Sequence, residues 1–194
     1  MTTTQEAFRK QARVLSDREL DCVLKAIAQG RHAERNRAAI MLSHLAGMRV
    51  AEIAGLNLSD VLDGGGRVRE HIMLRGGAEH REMRLVPINS RLRQELERYA
   101  VTLPGRYDRP FLMTQKRTQF SAKTLCTLLA QLYASAGLDG ASSHSGRRWF
   151  ISRLALSGVP TTVIMMLAGH KRLATTQRYI EVNDEMMRRA VEAL

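Results

Sequence analysis

Apolar residues recur at helical spacing over most of this chain. Ser16-Asp-Arg-Glu19 has the S-x-x-E form of a reciprocal helix cap, and Leu20, Val23, Leu24 and Ile27 follow at i, i+3, i+4 and i+7, so a helix is predicted from Ser16 to near Gly30. A second is predicted over about Ala33–Ala46, carrying Ile40, Met41, Leu42 and Leu45 and stopped by Gly47, and a short third over Val50–Leu56. From Val61 the period changes. Gly64-Gly-Gly66 marks a turn, Val68–Leu74 and Glu82–Ile88 read as strands, and Arg75–Arg81 joins them through Gly76-Gly77 as an antiparallel hairpin. Helical spacing returns with Leu92, Leu96 and Tyr99, between Ser90 and about Leu103, and Pro104-Gly105 closes it. After the short apolar piece Phe111–Met113, Ser121 opens the most regular helix, with Leu125, Leu128, Leu129, Leu132 and Tyr133 up to Gly137. Gly146–Leu156, Pro160–Leu167 and Asp184–Ala193 complete the set. No linker, low-complexity run or repeat divides the pattern. The expected fold is one mainly helical α+β domain with a small antiparallel β-hairpin, over residues 16–194, after a polar extension of residues 1–15.

The 194 residues are enough for a sizeable core, and 44% apolar content excludes wholesale disorder. The longest nearly apolar stretch, Ala38–Met48, is interrupted by Ser43 and His44 and is too short to span a bilayer, and no hydrophobic segment follows the polar start. Cys22 and Cys126 lie in helical patterns, and neither has a second cysteine two to four residues away, so no zinc site, metal or disulfide framework is expected. Both thiols are expected to be buried and reduced, in a cytoplasmic protein.

Thirty Lys+Arg against 19 Asp+Glu give a formal charge of +11, which points to a polyanionic partner, with nucleic acid first. The excess comes from 25 arginines and 5 lysines, and arginine is suited to bidentate phosphate contacts.

The last third of the chain gathers unusual polar groups. His144-Ser-Gly-Arg147 places an imidazole and a guanidinium one turn apart at the start of a helix, where the dipole also favours an anion. Leu167-Ala-Gly-His170 leads to Thr175-Thr-Gln-Arg-Tyr179, nine residues beyond the histidine. Upstream, Gly47 ends a helix and Arg49 opens the next, with Glu52 one turn on, positioned to hold the guanidinium. Two arginines, two histidines and a tyrosine suffice for attack on a phosphodiester without a cofactor. Each pair alone is commonly a salt bridge or a packing residue. Together they support a phosphate-binding site.

The four segments Gly47-Met-Arg49-Val-Ala-Glu52-Ile-Ala-Gly-Leu56, His144-Ser-Gly-Arg147, Leu167-Ala-Gly-His170 and Thr175-Thr-Gln-Arg-Tyr179, in this order, resemble the signature boxes of the tyrosine recombinases, or phage integrase family. The resemblance runs from about Ser16 to Tyr179. It implies that Arg49, Arg147 and His170 contact a scissile phosphate of double-stranded DNA, that His144 transfers a proton, and that Tyr179 attacks to give a 3′-phosphotyrosine and a free 5′-hydroxyl. Glu52 falls at the supporting acidic position. Neither ATP nor a metal ion is implied, and four protomers would act on two recombination sites, with accessory DNA-binding proteins in some systems. A segment such as Asp184–Ala193, with Met186, Met187, Val191 and Leu194, would pack on a neighbouring protomer or on its own domain.

Two departures matter. Relatives carry a hairpin lysine that protonates the leaving 5′-oxygen, whereas this chain has no lysine between Lys25 and Lys116. The hairpin offers Arg75, His80 and Arg81 instead. His80 is the better proton donor, since the arginine pKa lies far above neutrality, and Arg75 would lend electrostatic help only. The other departure is length. Fifteen residues before the first helix leave no room for an N-terminal DNA clamp, so a catalytic domain alone is expected, either as a fragment or as a natural short form similar in size to the invertases of fimbrial promoters. The expected phosphate contacts are Arg67, Arg69, Arg75, Arg81, Lys116, Arg117, Lys123, Arg148, Lys171 and Arg172. The alternatives to a recombinase are a DNA-binding regulator or architectural protein that keeps the fold without turnover, and a DNA-relaxing type IB topoisomerase.

Overall fold

The computed structural model describes residues 12–75, 83–103, 109–180, 187–188 and 191–192. Among them the element order is α1 (Asp17–Ala28), α2 (Ala33–Leu45), α3 (Val50–Ala54), α4 (Leu58–Val61), β1 (His71–Leu74), β2 (Arg84–Pro87), α5 (Ser90–Ala100), α6 (Ala122–Ser135), α7 (Ser145–Leu156), α8 (Thr161–Ala168) and α9 (Leu173–Gln177).

Local chemistry accounts for the start of the fold. The Ser16 hydroxyl accepts from the Glu19 amide at 3.3 Å, and the Glu19 carboxylate accepts from the Ser16 amide at 2.8 Å. This reciprocal cap contributes about 1 kcal/mol and directs Leu20, Val23, Leu24 and Ile27 inward. The next helix is different. From Ala38 to Leu45 every residue of α2 is buried, because α1, α5 and α7 all pack around it. A helix enclosed on all sides must also bury its polar positions, Ser43 and His44.

The β1–β2 sheet pairs Ile72 with Val86 and Leu74 with Arg84, antiparallel. Ile72, Leu74 and Val86 face the core, so alternation carries Arg84 to the same inner face. A satellite cluster of Ile151 and Ala155 from α7 with Ile164 and Ala168 from α8 lies beside the main core, and Phe150 packs against both. Helix α7 therefore ties the last third of the chain to α2. Tyr179 and Ile180 pack on the satellite cluster.

His44 is fully enclosed between Trp149 and Tyr133, with ring centroids at 5.7 and 6.4 Å. Its Nδ1–H donates to the Ile40 carbonyl at 3.0 Å, which leaves Nε2 unprotonated and, among the described residues, without a hydrogen-bond partner. Burial pushes its pKa down to about 4. Because the folded value lies below the unfolded one, the unfolded chain binds the extra proton between about pH 6.5 and 4, and stability falls as pH drops through that window. Between pH 7 and 5 the wild type is expected to lose about 2 kcal/mol more than His44→Leu. Denaturant titrations at the two pH values measure this, and parallel losses in both proteins would refute it.

Several sequence expectations need correction. Cys22 is exposed, because it lies two residues from Leu20 and so turns away from the α1 stripe, and Cys126 is half-buried, donating to the Ser143 hydroxyl at 3.3 Å. Val68 makes an isolated bridge with Leu62, so the first strand begins at His71, not at Val68. The second covers Arg84–Pro87, α3 stops at Ala54 and α5 at Ala100. Helices α4 and α9, of four and five residues, are too short to show a period. Of the expected helix Asp184–Ala193, only residues 187–188 and 191–192 are described; they are helical, with Met187 and Val191 exposed. Met186, Leu194, His80, Arg81 and residues 1–11 of the extension lie outside the described residues.

Candidate active site

The site is organised by the C-terminus of α8. A helix leaves its last four carbonyls without intrahelical partners. Here Gly169 adopts a left-handed conformation (φ 64°), its N–H donates to the Met166 carbonyl, and the N–H of His170 donates to that of Met165, both at 3.0 Å. This is the Schellman end, which satisfies two carbonyls and sets His170 at the helix terminus. The other two are taken by arginines from distant parts of the chain. Arg84 donates to Leu167 O at 2.6 Å, and Arg147 donates to Ala168 O at 2.6 Å. Arg49 then donates to the carbonyl of Gly169 at 2.7 Å. Three guanidiniums thus converge on three successive carbonyls, at the end of the helix whose dipole is negative.

Arg147 is deeply buried. It also bonds the Gly47 carbonyl, so it joins the turn before Arg49 to the turn before His170. Burial pushes its pKa down to about 10, with Arg49 and Arg84 acting in the same direction and Glu52 and Tyr179 against it; the guanidinium stays protonated at neutral pH. Gly47 has φ 58°, and a Cβ there would strike the Phe150 ring, so the turn that presents Arg49 accepts only glycine without displacement.

Arg49 caps α3, and the local expectation for Glu52 is met. The carboxylate accepts from Arg49 Nη1 at 2.9 Å and from the Arg49 amide at 2.7 Å. It also accepts from Arg84 Nη2 at 2.9 Å. Burial raises the Glu52 pKa, but the charges of Arg84 and Arg49 and these hydrogen bonds outweigh it and hold the carboxyl below its ordinary value. Three arginines and one carboxylate leave a net positive pocket.

His170 is buried, and its Nδ1 shares a hydrogen bond of 2.8 Å with the Thr176 hydroxyl on α9. Burial lowers its pKa to about 4, reinforced by Arg147, Arg49 and Arg84, so the imidazole is neutral at pH 7. Tyr179 stacks on it at 5.7 Å and 22°. Its amide donates to Thr176 O at 2.9 Å and its carbonyl accepts from the Ser152 hydroxyl at 3.3 Å, so α9 and α7 both fix its backbone.

The structure therefore brings together Arg49, Glu52, Arg147, His170 and Tyr179. His144 is the N-cap of α7 and exposed; among the described residues its ring enters no hydrogen bond of the cluster. Sequence reasoning missed Arg84. The signal was a charged residue alternating with Val86 on the inner face of a strand.

The expected phosphate contacts divide. Lys116, Arg117, Lys123, Lys171 and Arg172 are exposed, the first two on a loop where Arg117 has φ 58° and the Thr114 hydroxyl accepts from the amides of Lys116 and Thr118. Arg75 is exposed but donates to Asp60 at 3.1 Å, and Arg67 pairs with Asp63 at 3.2 Å. Arg148 is half-buried, with Nη1 on the Ala12 carbonyl, and Arg69 donates to Ser59 O; neither is the open surface charge its position suggested. Among the described residues no group of His, Cys, Asp and Glu is placed to hold a metal ion, and no helix is long and apolar enough to cross a membrane.

A family model described as the phage integrase family matches residues 13–186. The chain belongs to this family. Within it, tyrosine recombinase XerA of Thermococcus kodakarensis is 32% identical over 190 residues, covering 95% of this chain and 63% of the relative. XerA of Pyrococcus horikoshii is 31% identical over 162 residues, covering 81% and 54%. The chain thus spans between half and two thirds of the length of these curated relatives. The crystal structure of XerA recombinase superposes with a TM-score of 0.74 at 23% identity, over 95% of this chain and 64% of that one. The Tn1549 transposon integrase, in complex with a circular intermediate DNA, gives 0.73 at 20%, over 95% and 67%. These likenesses show that the phage integrase fold is the fold seen here.

Proposed function

We propose that residues 16–194 form the catalytic domain of a site-specific recombinase that breaks and rejoins double-stranded DNA through a 3′-phosphotyrosine. The observation that carries this reading is the convergence of Arg49, Arg147, His170 and Tyr179 on the end of α8. A phosphodiester seated there meets two fixed guanidiniums and a neutral imidazole, groups preorganised for the charge of a pentacoordinate phosphorus. The Tyr179 oxygen forms a bond to phosphorus, the bond from phosphorus to the 5′-oxygen breaks, and a 5′-hydroxyl leaves. His144 takes the tyrosine proton. The leaving oxygen receives a proton from His80 or, with Arg75 lending charge, from water. Attack by another 5′-hydroxyl reverses the sequence, and the phosphotyrosine bond conserves the energy that rejoining needs. Lys116, Arg117, Lys123, Lys171 and Arg172 supply phosphate contacts, four protomers assemble on two sites in the cytoplasm, and accessory DNA-binding proteins select the outcome.

The relatives named tyrosine recombinase and the DNA-bound neighbour support this reading. The test is to incubate the protein with nicked duplexes carrying the sequences that flank its own gene, and to look for an SDS-stable complex whose DNA-linked peptide contains Tyr179. DNA binding without such a complex, at any salt concentration or site, would leave the non-catalytic DNA-binding protein as the better account.

A further inference from the structure

Strand β2 sends a charge into the site that none of the signature boxes contains. Arg84 pairs with Leu74 and shares a face with buried Val86, which puts a guanidinium on the apolar side of the hairpin. There it makes bonds to two other elements, Nη1 to Leu167 O on the last turn of α8 and Nη2 to Glu52 on α3. Its Nε and Cζ lie 2.7 and 2.9 Å from where a Cβ on Gly169 would stand, so the guanidinium covers the residue that precedes His170. An exposed ion pair with these partners would contribute little. This one is different, because both side chains are only about one fifth exposed (21% and 22%), and without Arg84 the Leu167 carbonyl and half of the Glu52 compensation lose their partner.

We propose that Arg84 is a positioning residue for strand cleavage: it ties the hairpin to Glu52, and through Glu52 to Arg49, while holding the turn of α8 that presents His170. The proposal rests on the recombinase reading. Its bonds run to Glu52, which holds Arg49, and to the turn that presents His170, so Arg84 acts on the reaction through those two residues. Its consequence is that strand β2 and the phosphate-binding arginines form one unit.

The test compares wild type, Arg84→Ala and Arg84→Lys in single-turnover cleavage of nicked DNA at saturating protein, with DNA affinity and thermal melting measured in parallel. Arg84→Ala is expected to cleave about 100-fold more slowly, the loss that a displacement of roughly 1 Å brings, with DNA affinity within about threefold of wild type. Arg84→Lys recovers part of the rate, since one ammonium keeps the charge but cannot span both acceptors. In a double-mutant cycle, Arg84→Ala with Glu52→Gln loses less than the product of the two single losses, because the two share the path through Arg49, while Arg84 alone also acts on the turn of His170. A rate loss matching the loss of folded protein, or an affinity loss with an unchanged rate at saturation, overturns the proposal. A wild type that forms no covalent complex defeats the recombinase reading instead. Arg84 is then judged on the DNA-free protein, where NMR titration of His170 is expected to move upward in Arg84→Ala; an unmoved titration overturns its placement.

Discussion

Tyr179→Phe is expected to abolish the covalent protein–DNA complex while leaving the fold and DNA binding intact. The aromatic ring stacks on His170 and packs on the satellite cluster, and the backbone is held through Thr176 O and the Ser152 hydroxyl. Phenylalanine keeps all of these contacts. What it removes is the oxygen that forms the bond to phosphorus, and no general acid or base compensates for a missing nucleophile. Mobility-shift assays are expected to give an affinity within about twofold of wild type, since one oxygen is a small part of an interface dominated by phosphate contacts. SDS gels of nicked DNA read the chemistry. A covalent complex that persists in Tyr179→Phe would assign the nucleophile to another hydroxyl and break the proposed geometry at its centre.

Arg147→Lys tests whether charge alone is enough at the deepest position of the pocket. The guanidinium spans two carbonyls about a hundred and about twenty residues away in sequence, Gly47 O and Ala168 O, and the side chain is almost wholly buried. A lysine has one nitrogen on a flexible stem and cannot reproduce that fork, and burial lowers its pKa toward the neutral form. Cleavage is expected to fall about 10³-fold, the scale on which loss of a preorganised donor to a developing oxyanion is measured. Stability is expected to fall by about 2 kcal/mol, because a buried carbonyl loses its donor and the Gly47 turn its anchor. Single-turnover rates and denaturant titration separate the two effects. Cleavage within tenfold of wild type would mean that a positive charge suffices and that the fork geometry does not matter.

Helices with a sequence period were legible because their determinants lie within one or two turns. The Ser16–Glu19 cap, the Leu20–Ile27 stripe of α1 and the Leu125–Tyr133 pattern of α6 appear as expected, and so does Glu52 holding Arg49, an i, i+3 contact. The boxes around Arg49, Arg147, His170 and Tyr179 were legible as residue types at fixed spacings, which was enough to indicate phosphate chemistry. Tertiary structure decided the rest. Nothing near Arg84 in the chain points to Leu167 or Glu52, and nothing near Arg148 points to Ala12, because these partners meet only when α7, α8 and the hairpin pack. Packing also encloses His44 inside α2 and lowers its pKa, while a turn of the helix leaves Cys22 in solvent. Local spacing determines which residues share a face. Which main-chain carbonyls lack partners, and which distant guanidiniums reach them, is settled only where a helix ends inside the folded protein.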